Sequence, residues 1–310
     1  MKFKRQLSGM IFEWTARSFT LISMIALITI LGVLFLKGSQ VITWEFLTSE
    51  PLDGMTRGGI FPAIFGTISV TLLMIILALP LGVASAIYLV EYAGTGFLAR
   101  TIRAAVNNLA GVPSIVFGLF GVGFFILFLG RNIDKVLQTG LLFGQPAMLW
   151  AAATLSILVL PVVIVSTEEA IRAVPLSHRE AAYALGATKF QVISRVVLPQ
   201  SLPGILTGAI LSVSRGAGET APILFTGCAY FLPRLPVVTI PYLNIPMINP
   251  LDQFMELSYH LFIMATQSID AQATRPIQYG TAFVLITLTF LLNLSAISLR
   301  IYFRRRHKRR

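Results

Sequence analysis

Charge is scarce in this chain. Of its 310 residues only 12% are Asp, Glu, Lys or Arg, about half the ~25% usual for a soluble domain, while 55% are hydrophobic. That balance argues against a soluble globular protein. Acids are scarcer still, 13 against 24 Lys and Arg, and the resulting formal charge of +11 points to nucleic acid or an anionic membrane surface. The single cysteine, Cys228, excludes an internal disulfide and any site built from several thiolates. The three histidines, His178, His260 and His307, lie in separate regions, so no metal site and no Ser/His/Asp arrangement is expected. None of the six lysines follows a glycine, so the G-x-x-x-x-G-K-[ST] phosphate loop of an ATPase is missing. The chain is therefore expected to be non-catalytic and without a cofactor of its own. Any energy has to come from another chain or from an ion gradient.

What is abundant is the long uncharged run. Residues 18–36 contain no charge and are long enough, at 1.5 Å per residue, to cross a hydrocarbon layer of ~30 Å. The run exceeds the apolar core of a cleaved signal peptide and reads as a retained helix. Five more runs follow, at 58–90, 104–130, 136–167, 196–214 and 276–299. Turns are expected at Gly58-Gly59 and from Thr139-Gly140 to Pro146, with helices starting near Pro62 and Ala147. The reading is an all-α integral membrane protein of six spans.

The cations decide its orientation. With the amino terminus inside, seventeen of the 24 Lys and Arg fall on the cytoplasmic side and six outside, leaving Arg215 within a span. The positive-inside rule then places both termini in the cytoplasm. The basic tail FRRRHKRR becomes a cationic stop beside membrane lipid, not a nucleic-acid site.

Two connections are long, a cytoplasmic one at 168–200 and an external one at about 228–275. In the first, a helix is expected from Leu176 to Leu185, with Ser177 as N-cap, Glu180 as its capping-box partner and Gly186 as terminator. A second short helix should run from Thr188 to Leu198, before Pro199. Between them Ala181, Ala182 and Ala184 leave one face of this knob with little side-chain bulk.

The spacing Glu180-Ala181-Ala182, three residues, Gly186, nine residues, then Val196-Val197-Leu198-Pro199 resembles the EAA-x3-G-x9-I-x-L-P signature of permease subunits in bacterial ATP-binding-cassette importers. Only Val196 departs from it, standing where Ile is usual. The resemblance implies that Glu180, Ala181, Ala182, Gly186, Val196, Leu198 and Pro199 belong to a coupling element that docks on a separate ATPase subunit. It also implies the type I importer permease fold, over residues 58–300. Residues 1–57 would add a tail, the first helix and an external loop, and residues 301–310 a basic cytoplasmic tail.

In the fifth run Arg215 lies fourteen residues beyond Ser201, about 20 Å deep by helical rise. A charge at that depth costs roughly 2.5 to 3.5 kcal/mol and usually faces a bundle interior or a wet cavity. Glu219 is four residues later, expected on the same helical face, where it would partly neutralise Arg215. Gly216, Gly218 and Pro222 would let the helix loosen there. Either the pair is packed between subunits or lies near the outer interface, or Arg215 lines an anion route, its guanidinium fork matching a tetrahedral oxyanion.

The segment Ser214-Arg215-Gly216-Ala217-Gly218-Glu219-Thr220-Ala221-Pro222 resembles the SR-x-x-GETAP segment of phosphate importer permeases. Residues 80–92 and 111–121 are also similar to that family, the former more to its PstA branch than to the partner branch PstC. The resemblance implies phosphate passage near Arg215 and Glu219. The partners it implies are a second permease subunit, two ATPase subunits that bind the ATP, and an external phosphate-binding protein. Another oxyanion, sulfate or molybdate, or a carrier acting alone are the alternatives. In the external segment, five prolines between 233 and 250 favour extended chain. Phe254, Leu257, Leu261, Met264 and Ala265 then fall at helical spacing. That helix would lie on the bilayer surface or offer a docking surface to the binding protein.

Overall fold

The computed structural model describes residues 2–94, 96–239, 246–268 and 270–308, with side chains described between residues 9 and 302. Six helices are long and apolar enough to cross a membrane: Gly9–Gly38, Phe61–Tyr92, Ser114–Leu137, Met148–Arg172, Lys189–Gly216 and Ala271–Tyr302. These are the six expected spans. The second begins with Pro62 in its first turn, where a missing N–H leaves no helical bond unmade. Among the described residues, strand is confined to two small hairpins, Pro51–Leu52 with Arg57–Gly58 and Val237–Thr239 with Pro246–Ile248. Pro241 and the side chains of the basic tail lie outside the described residues, although the last helix continues to Lys308.

The fourth span is the centre of the bundle, packed against the second and the fifth. Its contact with the fifth is made by small residues. A Cβ built on Gly204 would overlap Ala170, and one on Gly208 would overlap the Ser166 hydroxyl. Both pairs are spaced four apart, so the two backbones approach along one stripe, the small-x-x-x-small packing that apolar surroundings favour. On the other side, Val70, Met74 and Ala78 of the second span share a core with Leu155, Leu158 and Val159 of the fourth. The first span stands at the periphery, packed on the sixth through Phe35 and Phe283, whose rings meet edge-on at 5.7 Å.

Three expectations need correction. The connection read as cytoplasmic is shorter than 168–200, because the fourth span continues to Arg172 and the fifth begins at Lys189. The second short helix does not stop at Pro199. It runs into the fifth span through a π-helical segment, Ile193–Val197, with Pro199 at the start of the α-helix that follows, where its missing N–H leaves no helical bond unmade. The helix of the segment expected to be external does not lie on the bilayer surface. The helix Leu257–Thr266 forms, but residues 254–260 are all buried, and the helix packs between the second and sixth spans.

Helix-end chemistry explains that burial. The first N–H groups of the fourth span have no partners in their own helix. Ala147 N–H donates to the Thr226 carbonyl at 3.0 Å, Met148 N–H to that of Asp252 at 2.9 Å and Leu149 N–H to that of Pro250 at 2.7 Å. The carbonyls of Thr226, Pro250 and Asp252 thus cap the central span, and the chain after Asp252 is drawn inside. It meets the second span at Gly66, where a Cβ would overlap the Met255 carbonyl oxygen. Gly66→Ala is accordingly expected to destabilise the solubilised protein by about 1 to 3 kcal/mol, as overpacking does. The thermal-unfolding midpoint reads it, and an unchanged midpoint would contradict this close approach.

Candidate coupling and anion sites

The knob helix spans Leu176–Ala184 and buries no residue. Its N-cap is Pro175, not Ser177, and no side chain caps it. Pro175 takes the extended conformation required there, which leaves Ser177 and Glu180 inside the helix, where no capping box can close. Its C-terminus follows expectation. Gly186 has φ +80°, Gly186 N–H donates to the Tyr183 carbonyl at 2.9 Å, and Ala187 N–H donates to that of Ala182 at 3.1 Å. These two bonds form a Schellman cap, for which glycine is the favoured residue. The capping box of this region lies one helix later, where Thr188 accepts from Gln191 N–H and Gln191 Oε1 from Thr188 N–H.

Glu180 and Ala181 are exposed, Ala182 is half-buried, and Val196, Leu198 and Pro199 are half-buried at the root of the fifth span. Around the motif stand large apolar side chains the sequence reading passed over: Leu176 at 67% exposure, Leu185 at 89% and Phe190 at 72%. Ala182 packs lightly on the apolar cluster around Leu89 and Ile171, and polar contacts tie the knob down further. Arg179 donates to Glu91 Oε1 at 2.5 Å and to the Ile171 carbonyl at 2.8 Å. Lys189 donates to the Glu91 carbonyl and lies 4.4 Å from the Tyr92 ring centroid. Glu91 sits in a second π-helical segment, Tyr88–Tyr92, at the end of the second span. An acid closing a 33-residue uncharged run was the visible signal for it.

Arg215 occupies the last turn of the fifth span, which ends at Gly216. Glu219 is therefore not on the same helix face; it follows in a turn whose N–H reaches the Gly216 carbonyl at 3.3 Å. The helix ends because two of the three residues after Arg215 are glycines and Pro222 cannot continue it. The turn nevertheless brings Glu219 Oε1 to 3.6 Å from Arg215 Nε. This is an ion pair beyond hydrogen-bond range, so the guanidinium fork is not closed by a bidentate carboxylate. The Arg215 side chain keeps 38% exposure and that of Glu219 20%. The negative end of the helix dipole offsets part of the cost of the cation. Beside it, Asn293 of the sixth span donates to the Ser214 hydroxyl at 3.0 Å.

The turn after Arg215 is wedged into the bundle. Gly118 of the third span faces the Ala221 carbonyl, and Gly216 faces Met74 of the second. Thr220 donates to the Ser258 hydroxyl at 2.9 Å, and Ser258 donates to Glu256 Oε2 at 2.5 Å. Glu256 caps the helix Leu257–Thr266 by accepting from Tyr259 N–H at 2.9 Å. Thr67 Oγ1, on the second span, accepts from Leu257 N–H at 3.0 Å. Burial pushes the Glu256 carboxyl up from its ordinary value, while the donors from Ser258 and Tyr259 pull it down. Burial alone lowers His260 to about 4, leaving that ring neutral at physiological pH. Neither residue was singled out in the sequence, because a capping Glu at a helix start looks ordinary until its surroundings are known.

Two adjoining cavities lie along the fourth span. One of about 270 Å³ is lined by Arg103, Asn107, Glu168 and Arg172, with Glu168 Oε2 held 3.4 Å from Arg103 and 3.2 Å from Arg172. The other, about 340 Å³, shares Val106, Asn107, Val165 and Glu169 with it and extends to Leu211, one turn before Arg215. A groove thus rises from the knob end of the bundle toward the Arg215 turn.

Residues 78–309 match the family described as binding-protein-dependent transport system inner membrane component. Over 207 residues the chain is 40% identical to the phosphate transport system permease protein PstA 1 of Mycobacterium tuberculosis, which covers 66% of this chain and 64% of that protein. The chain therefore spans somewhat under two thirds of the length of that curated relative. It is 28% identical over 281 residues to the probable ABC transporter permease protein YqgI of Bacillus subtilis, covering 87% of each. Among solved structures, its fold is similar to a chain of a bacterial ABC transporter involved in the import of the acidic polysaccharide alginate, with a TM-score of 0.63 at 14% identity over 96% of this chain and 99% of that one. Together with its six apolar spans, the match over about three quarters of its length shows that this multi-pass membrane protein belongs to the binding-protein-dependent transport system inner membrane component family.

Proposed function

We propose that this chain is the permease half of an ATP-driven phosphate importer in a bacterial cytoplasmic membrane. It would work with a second permease subunit, two ATPase subunits that bind the ATP, and an external phosphate-binding protein. The observation that carries this reading is the knob. A helix that buries none of its residues, held up by a Schellman turn and surrounded by Leu176, Leu185 and Phe190 at high exposure, is a surface awaiting a partner. The EAA-type spacing falls on that surface and its root. The cation asymmetry supports a cytoplasmic position for the knob and for both termini. Relatives named as phosphate permeases support the substrate.

In this reading closure of the ATPase pair moves the knob, and the fifth span, continuous with it from Lys189 to Gly216, carries the movement to Arg215. Phosphate delivered from outside meets a guanidinium whose fork is open and whose charge Glu219 balances from 3.6 Å. An oxyanion in bidentate contact displaces that weaker pairing. When the anion leaves, Glu219 re-pairs with Arg215, so the empty pathway holds no uncompensated cation.

Two outcomes test the reading. In proteoliposomes carrying the whole complex, Arg215→Gln is expected to lower ATP-driven phosphate uptake at least about 100-fold, with every subunit still co-purifying, a loss of the size expected when one side of a charged contact is removed. Normal uptake would remove Arg215 from the pathway, and uptake of sulfate but not phosphate would replace the substrate. Gly186→Val places a β-branched residue at φ +80°. It should release the ATPase subunits while the permease stays folded; undiminished ATPase co-purification would count against the knob as their dock.

A further inference from the structure

We propose that the second span is a coupling strut: Glu91 takes up the movement of the knob, and Thr67, at the other end, delivers it through Glu256 and Ser258 to the turn beside Glu219. The inference rests on the importer reading above and adds a second line of transmission to the fifth span. It begins from how the knob is attached. The knob helix buries no residue, and its apolar contact with the cluster around Leu89 and Ile171 is made by the small side chain of Ala182, so apolar packing holds it only weakly to the membrane body. Arg179 on the knob helix and Lys189 at the start of the fifth span both close on the Glu91 segment instead. The Arg179 and Glu91 side chains retain only 16% and 9% exposure. A pair so withdrawn from water is strongly disfavoured from separating, since each partner would be left as an uncompensated charge. The knob and the end of the second span are therefore expected to move together.

The other end is equally well seated. Thr67 lies about 36 Å from Glu91 along the helix. At Gly66 no side chain intervenes between the second span and the Met255 carbonyl, and Thr67 Oγ1 receives Leu257 N–H and stands 3.4 Å from Glu256. From Glu256 the chain of hydroxyls runs back through Ser258 to Thr220, the residue after Glu219. A shift of the second span thus acts on the Arg215 turn through directional bonds. The two π-helical segments, Tyr88–Tyr92 and Ile193–Val197, flank the knob on both lines, and such turns are places where helical register can be reset. Glu91, Arg179 and Ser258 are positioning residues in this scheme; none of them has to touch phosphate.

The test uses the full complex in proteoliposomes and reads phosphate transported per ATP hydrolysed, a ratio that a merely structural loss would not change in the molecules that assemble. Glu91→Arg and Arg179→Glu should each lower it at least about tenfold with ATP hydrolysis continuing, and the double exchange should restore it to within about threefold. At the far end, Ser258→Ala should lower the ratio with ATP hydrolysis unchanged. Single variants that keep the normal ratio, a double exchange that assembles but stays uncoupled, or a normal ratio in Ser258→Ala would each overturn the strut. Should the charge variants fail to assemble, Glu91→Cys with Arg179→Cys, made with Cys228→Ser and bridged by a short bifunctional thiol reagent, decides the matter. Bridging should leave uptake intact, and loss of uptake on bridging, with ATP hydrolysis retained, would show that the two must part. Absence of ATP-driven phosphate uptake by the unmodified complex would defeat the importer reading itself, an outcome distinct from all of these.

Discussion

The start of the central helix sets the arrangement of everything around it. Met148–Arg172 is packed on several sides, so its first N–H groups cannot turn to water, and apolar neighbours offer no acceptors. The carbonyls of Thr226, Pro250 and Asp252 supply them. To do so, the chain after the fifth span has to fold back into the bundle and return a second time before the sixth. That double return places the Cys228–Phe254 bridge and the Glu256 cap near the start of the second and fourth spans, with the Arg215 turn farther in against Met74. The Arg215 turn, proposed above to meet the anion, therefore sits in irregular backbone that is satisfied by protein, a setting in which such backbone is tolerated within an apolar bundle.

Much of this was legible from the residues and some of it was not, for reasons that can be named. Spans are legible because length and lack of charge are local properties, and all six stand where uncharged runs lie. Gly186 was legible because a left-handed residue after a helix is a local demand. Ser177 misled because the capping preference of Ser competes with that of a Pro two residues earlier, whose fixed φ settles where the helix begins. Pro199 misled because a π-helical segment can carry a helix past a proline, and nothing in the residue pattern announces one. The burial of residues 254–260 was hidden altogether, since it arises from unpaired N–H groups about a hundred residues away in the chain.

The site shows the same division. Arg215 stood out as a lone cation in an apolar run, and its partner Glu219 was found by spacing. Yet the spacing argument held for the wrong reason. The two meet because the helix stops between them and turns, not because they share its face. Thr67 carries no spacing signal toward Glu256 and Ser258, since it stands on the second span and they stand at the start of the short helix Leu257–Thr266, connected to it only by the fold.

The interfaces differ in chemistry in a way that bears on motion. Where the fourth and fifth spans meet, Gly204 and Gly208 lie against Ala170 and Ser166, and dispersion over a close stripe permits no sliding without overlap. Where the knob meets the second span, the attachment is made by long side chains and charge. Arg179 and Lys189 hold the Glu91 segment through an ion pair and directional bonds, so the knob and the end of the second span are tied together. At the Arg215 turn the ion pair is longer still, at 3.6 Å. A close stripe of small residues thus holds the fourth and fifth spans together, while directional bonds and ion pairs hold the knob and the Arg215 turn, the combination needed if the two central helices are to move as one body.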